Sequence, residues 1–460
     1  MSNMTDREMA ILIAEKVKEA GGTTYFVGGC VRDKLLGLEN KDIDIEVHWI
    51  TPDVLKSILD SVGEHTEHGK SFGVYGIKGY DIDIAMPRTE RSTGIKHTSF
   101  EVDVNPYLGE IEASRRRDFT INALMENVLT GEIVDIWGGI QDLKDKIIRH
   151  VDREKFQEDA LRVFRAARFA AKLDFTVAKE TINLCKTIDT SNLSKERVFG
   201  ETKTALLKSE RPSVYFEQLR KMSQLSEWFS ELEATIGVMQ NEVFHKEGDV
   251  WTHTMMALDE AAKLREEAQY PLGFMTAVLC HDMGKPHCTS IDDKGVHHAY
   301  KHESAGVPYA KEFLLHLTDI SYLRKYVLNM VELHGEPHTK AEHQSSVKST
   351  NHMYDKALVP EDLILHCVAD SLGKLPQDMS ERAFLEERLQ VYRETMAKPF
   401  IQGRDLVDAG IKPNKRFTEY LEYAHKLRLA GVDKELAMKQ VLSMANKDKR
   451  KEEKGAGYDR

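Results

Sequence analysis

The stretch TTYFVGGCVRDKLLGLENKDIDIEV, residues 23–47, decides the fold of the N-terminal part of this chain. Thr24 to Val27 is a short apolar run typical of a strand, Gly28-Gly29 predicts a turn, and Cys30 to Leu36 predicts a helix. Ile43 to Val47 then alternates apolar and polar residues, as do Phe72 to Ile77 and Tyr80 to Ala85, which is the pattern of a half-buried strand. A strand, a glycine turn, a helix and a second strand in this order predict an α/β head.

Paired carboxylates open the second of these strands. Side chains alternate between the two faces of a strand, so Asp42 and Asp44 point to the same face. Two carboxylates that lie so near each other suit Mg²⁺, which takes carboxylate ligands while keeping waters and substrate phosphates. Asp81 and Asp83 repeat the pattern, and Asp83 would be a third ligand if the two strands are neighbours. Two metals held there would activate a hydroxyl and stabilise a pyrophosphate leaving group. The alternative interpretation is a strand edge whose acids are solvated.

Glycines and arginines close to these acids are suited to phosphate. Gly28-Gly29 opens a helix that carries Arg32, which offers backbone N–H groups and a helix N-terminus to a phosphate, although a plain tight turn has the same residues. Arg115-Arg116-Arg117 precedes Asp118, which is predicted to cap a helix over Phe119 to Glu126. Guanidinium groups there would hold a triphosphate, and Asp118 would accept a hydrogen bond from a ribose hydroxyl. The alternative is a solvated basic turn.

A further predicted helix carries side chains that can read a nucleobase. Lys155 to Lys172 has helical periodicity, and it includes Asp159 and Arg162, followed by Arg165 and Arg168. Positions three apart are neighbours on a helix, so an acceptor and a fork of donors stand side by side. Such a pair can select a base without a template strand. An ordinary salt bridge between Asp159 and Arg162 is the alternative interpretation.

Composition and charge exclude several classes of protein. The 460 residues include 75 Asp and Glu against 64 Lys and Arg, and the net charge of −11 argues against a binder of nucleic acid driven by overall charge. The sign reverses between Lys146 and Lys172, where eight basic residues stand among four acids. The chain has no run of about 20 apolar residues that would span a membrane, and Met1 to Glu8 is too polar for a signal peptide. Five scattered cysteines favour a reduced, cytoplasmic compartment.

Histidines are concentrated in the second half of the chain, where 14 of the 19 follow residue 240. His281-Asp282 follows an apolar helical run, with His253 upstream and Asp370 downstream. This order resembles the HD phosphohydrolase superfamily, and the resemblance implies that these four residues ligate a divalent ion of the Ni, Mn, Co or Fe type, or Mg²⁺. His302 is a candidate neighbour of the metal or of a phosphate. An HD fold kept for structure alone is the alternative.

Five motifs occur in an order that identifies a family. They are VGGCVRD at 27–33, KDID at 41–44, RRDFTINAL at 116–124, Asp135 with GGIQDL at 138–143, and EDALRVFRAARF at 158–169. Together they closely resemble the class II tRNA nucleotidyltransferases, the CCA-adding enzymes of the polymerase β superfamily. GRDL at 403–406 and AGIKP at 409–413 resemble the C-terminal region of the same family. Cys30 stands where these enzymes often have alanine, which is a change between two small residues.

The resemblance implies a role for each of these side chains. Asp42 and Asp44 would bind the catalytic Mg²⁺, with Asp83 as a third carboxylate. The implied nucleotide-binding residues are Gly28, Gly29, Arg32 and Arg116 at the triphosphate, Asp118 at the sugar, and Asp159, Arg162, Arg165 and Arg168 at or near the base. The implied reaction is attack of a tRNA 3′-hydroxyl on the α-phosphate of bound CTP or ATP, with release of pyrophosphate.

Related activities stay open at this point. CC-adding, A-adding and poly(A)-adding relatives have overlapping motifs, although the segment between Arg88 and Arg115 is long enough for the flexible loop that complete CCA addition needs. An HD phosphohydrolase with an RNA-binding head is an alternative of a different class. In the HD domain, the resemblance implies phosphatase or 2′,3′-cyclic phosphodiesterase activity. The pair His334 and His338 has polar surroundings, which predict a solvated surface.

These patterns predict an α+β protein in which a head with a small mixed sheet is followed by all-α domains. The head covers 1–140, and a helical neck that selects the base and binds RNA covers 141–210. The helical body covers 211–398 and contains the HD domain at about 240–375. A helical tail at 399–446 and a disordered end at 447–460 complete the prediction, which leaves the oligomeric state undefined.

Overall fold

The computed structural model describes residues 4–39, 42–67, 74–92 and 100–455. The chain divides into two compact units, residues 1–228 and 229–460. The first unit contains a small mixed sheet, and the second is helical apart from a short hairpin, which confirms the predicted α+β class. Among the described residues, no helix combines the length and the apolar character needed to cross a membrane.

The strands of the first unit build one main sheet and two small ones. They are β1 Thr23–Val27, β2 Ile43–His48, β3 His65–Glu67, β4 Val74–Ile77, β5 Ile82–Ala85, β6 Arg88–Ser92, β7 Phe100–Val104, β8 Met125–Asn127, β9 Ile133–Val134, β10 Ile147–Ile148 and β11 Thr176–Val177. The main sheet has the order β3-β4-β5-β2-β1-β8-β9, in which β2 and β5 are parallel and all other neighbours antiparallel. The strands predicted over Thr24 to Val27, Ile43 to Val47 and Tyr80 to Ala85 are confirmed as β1, β2 and β5. Of the strand predicted over 72–77, β4 contains the residues from Val74 onward, and residues 72–73 lie outside the described part of the chain.

Helices cover the sheet and form the neck of the first unit. They are α1 Asp6–Glu19, α2 Gly29–Leu35, α3 Pro52–Val62, α4 Gly109–Arg115, α5 Gly139–Lys144, α6 Arg153–Gln157, α7 Arg162–Leu173, α8 Lys179–Cys185, α9 Lys195–Lys208 and α10 Ser213–Lys221. Helix α1 begins with a capping box between Thr5 and Glu8 and packs against β1 and β2. Helix α10 packs against α7, so the first unit continues past the predicted end of the neck at residue 210.

Two predicted helices of the first unit are wrong in their bounds. The helix expected over Phe119 to Glu126 is a 3-10 turn, Thr120–Asn122, followed by strand β8. The turn forms because the Asp118 carboxylate accepts hydrogen bonds from the Phe119 N–H and the Asn122 side chain at 2.9 Å each. The continuous helix expected over residues 155–172 is interrupted between α6 and α7, because the Asp159 carboxylate accepts a hydrogen bond from the Leu161 N–H at 3.1 Å.

The second unit is built from helices around one, α13 Pro271–Cys280, that is buried from its second residue to its last. They are α11 Ser230–Glu233, α12 Val250–Leu264, α13 Pro271–Cys280, α14 Lys285–Cys288, α15 His302–Leu317, α16 Ser321–Leu333, α17 Gly335–Glu342, α18 Val347–Lys356, α19 Pro360–Leu372, α20 Ser380–Ala397, α21 Gly403–Asp408, α22 Phe417–Leu429 and α23 Lys434–Gly455. A hairpin of β12 Thr289–Ile291 and β13 His297–Ala299 precedes α15. Helix α13 is apolar on all sides and packs against α12, α16 and α19.

The C-terminal helices form their own small core. Leu406, Tyr420 and Val441 are buried together there. The predicted disordered end at 447–460 is wrong for residues 447–455, because α23 runs to Gly455. Asp448 anchors this helix through an ion pair of 2.8 Å with Arg416. Residues 456–460 lie outside the described part of the chain.

Candidate active sites

One cavity of about 690 Å³ in the first unit is lined by every residue that the sequence predicted for nucleotide and metal binding in the head. The glycine turn, the parallel pair β2 and β5, the 3-10 turn after Asp118 and helix α7 supply its walls. The polar residues of the lining to which the sequence analysis gave no role are Asp33, Glu46, Arg88, Asn122, Lys172 and Arg197. Four of the five motifs therefore meet in a single cavity, and the motif of Asp135 with residues 138–143 does not line it.

The carboxylates lie side by side on the two parallel strands. The register places Asp44 opposite Asp83, and register partners project to the same face of a sheet. Burial raises the pKa of Asp44, and the negative charges of Asp83 and Asp42 raise it further against the opposing effect of Arg117. A divalent cation would relieve this repulsion between acids, so the three residues fit the oxygen ligands that Mg²⁺ prefers.

The glycine turn brings backbone close to these acids. Gly28 has a φ of +70°, and a Cβ there would lie 3.3 Å from the Arg117 Nη1 and 3.9 Å from the Asp44 Oδ2. Arg32, one turn into α2, is 4% exposed. Its guanidinium donates to the Asp33 carboxylate at 2.7 Å and to the Asn122 side chain at 2.6 Å. Arg32 thus reaches the cavity wall with its orientation fixed.

A buried glutamate fixes the arginines that follow α4. Glu46 is 1% exposed, and its carboxylate lies 3.5 Å from Arg116, 3.4 Å from Arg117 and 3.0 Å from the His48 Nε2. Burial alone would raise the pKa of Glu46, but the hydrogen bond from His48 and the charges of Arg117 and Arg116 lower it to about 2. Glu46 follows Asp42 and Asp44 at the same spacing of two residues, so it lies on the same face. This spacing could have indicated Glu46 as a partner for the arginines.

Asp118 faces the neck helix. Its carboxylate accepts from the Arg165 Nε at 2.8 Å and the Nη2 at 2.6 Å. Burial would raise the pKa of Asp118, but Arg165, Asn122 and Arg162 together hold it below its usual range. Arg168, one turn further along α7, pairs with Glu201 on α9. The ionised Asp118 therefore presents a fixed acceptor at the cavity.

The structure brings Asp159 and Arg162 to the cavity, but not as a pair. Arg162 donates to the backbone carbonyls of Lys155 at 2.6 Å and Arg116 at 2.5 Å. Asp159 instead pairs with Arg197 on α9. The salt bridge considered as the alternative is therefore absent, since the chain turns between α6 and α7 and separates the two side chains.

In the second unit, the four implied HD ligands converge at the C-terminal end of α13. The His253 Nε2 lies 3.3 Å from the His281 Nε2 and 3.0 Å from the Asp370 Oδ1, and the His281 Nε2 lies 3.2 Å from the Asp282 Oδ2. The Nδ1 of His281 donates to the Val278 carbonyl at 2.7 Å, so its Nε2 keeps a lone pair. Burial would raise the pKa of Asp282, but His281, Lys285 and His302 hold it well below its usual range. Deprotonated nitrogen and oxygen atoms facing one another fit a divalent ion.

A second pair of histidines meets Asp282 from the other side. The His302 Nε2 lies 3.3 Å from the Asp282 Oδ1 and 3.1 Å from the His334 Nε2. The Nδ1 atoms of both rings donate to backbone carbonyls, at Ala299 and Val331 respectively, which leaves both Nε2 atoms as acceptors. Two acceptors at this separation repel unless a cation lies between them. His302 thus lies beside Asp282, one of the four ligands that the resemblance implies.

The predicted solvated surface for His334 and His338 is wrong. His334 is 2% exposed, and His338 Nε2 donates to the Asp370 Oδ2 at 2.8 Å. The prediction failed because Pro337 lies in the first turn of α17, where a proline needs no N–H partner, so the chain stays helical and points both rings inward. Their spacing of four residues was the available signal.

A layer of charged side chains supports these ligands. The Glu247 carboxylate is 3.2 Å from the His253 Nδ1, Lys285 is 2.7 Å from Asp282, and Lys374 is 3.4 Å from Asp370. Both lysines, with His302 and His338, line a cavity of about 640 Å³. The cavity therefore presents two lysines and two histidines at one opening, and positive charge there suits a phosphate ester.

Two family models match the chain. The poly A polymerase head domain matches residues 24–149, and the HD domain matches residues 250–374. Curated relatives named multifunctional CCA protein align over most of their length. The protein from Pasteurella multocida is 36% identical over 395 residues, covering 82% of this chain and 91% of the relative. The protein from Shewanella denitrificans is 34% identical over 425 residues, covering 89% and 96%.

Solved structures share the fold across nearly the whole chain. A Thermotoga maritima CCA-adding enzyme complexed with tRNA is similar with a TM-score of 0.63 and 21% identity, covering 96% of this chain and 94% of that one. A CCA-adding enzyme in complex with ATP is similar with a TM-score of 0.65 and 20% identity, covering 96% and 94%. These likenesses show a common architecture.

Proposed function

This chain belongs to the family of the multifunctional CCA proteins, and we propose that its first unit builds or repairs the 3′-terminal CCA of tRNA from CTP and ATP. The carrying observation is that the acids, the glycine turn and the arginines of four of the five motifs line one cavity together with Asp83. In this nucleotidyltransferase reaction, the tRNA 3′-hydroxyl attacks the α-phosphate of the bound nucleotide. The bond from the α-phosphorus to the bridging oxygen breaks, and that oxygen leaves with pyrophosphate.

The side chains divide the work along the bound nucleotide. Asp42, Asp44 and Asp83 would hold Mg²⁺, which supplies charge neutralisation for the attacking oxygen and the pyrophosphate. Arg116, braced by Glu46, is placed for the triphosphate together with the backbone of the glycine turn. Asp118, kept ionised by Arg165, accepts from the ribose hydroxyl.

Base selection is assigned to Asp159 and Arg162. Other groups of the protein hold each side chain in place: Arg197 holds Asp159, and two backbone carbonyls hold Arg162. Side chains fixed in this way offer a constant pattern of donor and acceptor to cytosine and adenine. All five cysteines of the chain are free, which supports a reduced cytoplasmic location for this activity.

The experiment supplies labelled CTP or ATP with tRNAs that end at the discriminator base, at C and at CC. Stepwise addition of C, C and A that then stops is the expected result. Addition of C alone or A alone would assign the chain to the CC-adding or A-adding relatives, and an extended A tail would assign it to poly(A) polymerases. Incorporation on no tRNA would leave the head as an RNA-binding platform.

A specific observation supports a second activity. The six residues His253, His281, Asp282, His302, His334 and Asp370 form two groups on opposite sides of the Asp282 carboxylate. We infer that they hold divalent ions of the Ni, Mn, Co, Fe or Mg type, one in each group, and that the HD domain is a phosphohydrolase. The ions supply Lewis-acid and nucleophile-generating chemistry when bound. Lys285 and Lys374 would attract the phosphate dianion to this opening.

Hydrolysis adds water across a phosphorus–oxygen bond, and the departing oxygen takes up a proton. The test measures phosphate release and 2′,3′-cyclic phosphate opening by the full chain with each metal in turn. Asp282→Ala is expected to abolish both without changing CCA addition. Hydrolysis that survives this substitution would contradict the assignment.

A further inference from the structure

A further group of metal-ligand side chains lies in the second unit, and neither proposed function uses it. His338 on α17, Cys367 on α19 and Glu381 in the first turn of α20 bring one ligand atom each to the same place. The three helices pack against one another, so the ligands stand on regular elements and not on loops. The three residues are far apart along the chain, and no local motif marks them.

The three ligand atoms have nearly the spacing that one ion requires. The Cys367 Sγ lies 3.5 Å from the His338 Nδ1 and 3.1 Å from the Glu381 Oε2, and the two latter atoms are 2.9 Å apart. Zn²⁺ binds sulfur at about 2.3 Å and nitrogen or oxygen at about 2.0–2.1 Å in a tetrahedron, which separates the ligand atoms by about 3.3–3.6 Å. The sulfur–nitrogen distance has this value, and an outward shift of the Glu381 oxygen by about 0.4 Å gives the other two.

The thiol of Cys367 differs in its surroundings from the other fully buried thiols. Its Sγ contacts an imidazole nitrogen and a carboxylate oxygen, although the residue is 0% exposed. Cys185 and Cys280 are equally buried, but within the described part of the chain neither belongs to a group of metal-ligand side chains. A buried cysteine usually packs as a small apolar residue, so the polar partners of Cys367 indicate a ligand.

The outer contacts of this group are those of a metal-bound histidine. The His338 Nε2 donates to the Asp370 Oδ2 at 2.8 Å, and the Nδ1 on the other side of the ring faces Cys367 and Glu381. A histidine that ligates a metal almost always donates its other ring N–H to an acceptor such as a carboxylate, which fixes the orientation of the ring. The Ser371 hydroxyl donates to the Glu381 Oε2 at 3.1 Å and orients that carboxylate in the same way.

An ion can reach this group from the cavity of about 640 Å³. The side chains of His338 and Glu381 are 19% and 22% exposed and line that cavity, whereas Cys367 is not among its lining residues. A water molecule from the cavity can therefore complete the tetrahedron around an ion held by the three side chains. The thiolate and the Glu381 carboxylate together carry two negative charges, which one divalent cation neutralises.

We propose that His338, Cys367 and Glu381 form a thiolate-containing site for Zn²⁺, distinct from the histidine cluster around Asp282. Thiolate ligands select Zn²⁺ over Mg²⁺ and Mn²⁺, whereas the residues around Asp282 offer nitrogen and oxygen only. Binding releases the proton of the Cys367 thiol and a proton of the His338 Nδ1 to the solvent. The site needs neither nucleotide addition nor phosphoester hydrolysis, so it stands apart from both proposed functions.

The test loads the metal-depleted full chain with Co²⁺, which occupies zinc sites and gives a sulfur-to-cobalt charge-transfer band in the near ultraviolet when a thiolate binds it. We expect this band in the wild type, its disappearance when Zn²⁺ is added, and its absence from Cys367→Ala. Cys280→Ala is the matched control and should keep the band, because Cys280 is equally buried and directly precedes His281. Glu381→Gln is expected to weaken Co²⁺ binding at least about tenfold, since even the loss of an outer partner of a metal ligand has this effect.

Asp282→Ala separates this site from the histidine cluster. It should keep the band, because Asp282 is not a ligand of the proposed site. Loss of the band in Asp282→Ala, or its survival in Cys367→Ala, would overturn the proposal. A wild type without the band would show that the three side chains form hydrogen bonds only.

X-ray absorption at the zinc edge tests the site without a substitution at Cys367, so it does not depend on the folding of Cys367→Ala. The Asp282→Ala chain loaded with zinc is expected to show a sulfur neighbour at about 2.3 Å. Zinc surrounded by nitrogen and oxygen alone would overturn the proposal.

Discussion

Both carboxylate oxygens of Asp159 lie close to the Arg197 Nη2, at 3.1 and 3.0 Å, so a residue of α9 fixes the acceptor that is assigned to the base. Arg162 is fixed separately, by backbone carbonyls. The two side chains assigned to the base therefore depend on different supports, and the support of Asp159 can be removed by a substitution at Arg197 that leaves Asp159 in place.

Arg197→Ala is expected to loosen the choice of nucleotide. Asp159 would lose its partner and could rotate away from the base, whereas tRNA affinity would change little. We expect misincorporation of UTP or GTP to rise about tenfold relative to CTP and ATP, equivalent to about 1.4 kcal/mol of lost discrimination. Primer extension on a tRNA that ends at C, with each nucleotide alone, measures the change. Arg211→Ala is the control, because Arg211 is an exposed arginine of the same unit that pairs with Asp174. Equal error rates in wild type and Arg197→Ala would contradict the role.

Asp44→Ala is expected to abolish nucleotide addition while tRNA binding survives. Asp44 stands opposite Asp83 in the parallel register, and its removal breaks the carboxylate set that would hold Mg²⁺. A single-turnover assay should show a loss of about 1,000-fold, the upper end of the effect of removing one charge-stabilising group from an active site. Asp81→Asn is the matched control, since Asp81 lies two residues from Asp83 but does not line the cavity. Addition at the wild-type rate by Asp44→Ala would exclude the assignment.

The head could be predicted from sequence because its signals are local. The alternation of Asp42, Ile43 and Asp44 and the glycine turn before α2 are short-range patterns that the sheet preserves. The pairing of Asp44 with Asp83 was predictable only as a condition, since a parallel neighbour is brought in by the crossover between β2 and β5. The Asp159–Arg197 pair has no such signal, because it depends on how α9 packs against α7.

In the HD site as well, local motifs were predictable from the sequence and features that depend on packing were not. The motif His281-Asp282 marked the site, but His334 was assigned to the surface from its polar neighbours. Its burial follows from the packing of α16 against α13 and α15, which no local pattern records. The supporting carboxylate of Glu247 comes from an irregular segment before α12, where no periodicity identifies a functional face.

Glu46 should make the stability of the head depend on acid pH. Its pKa falls from an ordinary value of 4.5 to about 2 on folding, so the folded state is stabilised above pH 4.5 and loses this stabilisation as the pH falls toward 2. The contribution is about 3 kcal/mol. We expect wild type to be more stable than Glu46→Gln at pH 7, with the difference shrinking below pH 4.5. Denaturant unfolding at pH 7, 5, 4 and 3 measures it, and a difference that is constant across this range would show that the charge of Glu46 is not its source.

His334→Ala should separate the two activities of the chain. Its Nε2 faces His302 and Asp282, so the substitution removes one ligand from the second group and leaves His253, His281 and Asp370 intact. We expect the metal content of the full chain, measured by elemental analysis after dialysis, to fall by about one ion, and hydrolysis of a 2′,3′-cyclic phosphate to fall at least tenfold. CCA addition should stay at the wild-type rate, because the head and HD sites use different residues. His352→Ala, an exposed histidine on α18, is the control and should change neither quantity. An unchanged metal content in His334→Ala would contradict a second ion and reduce the site to the four residues expected from the sequence.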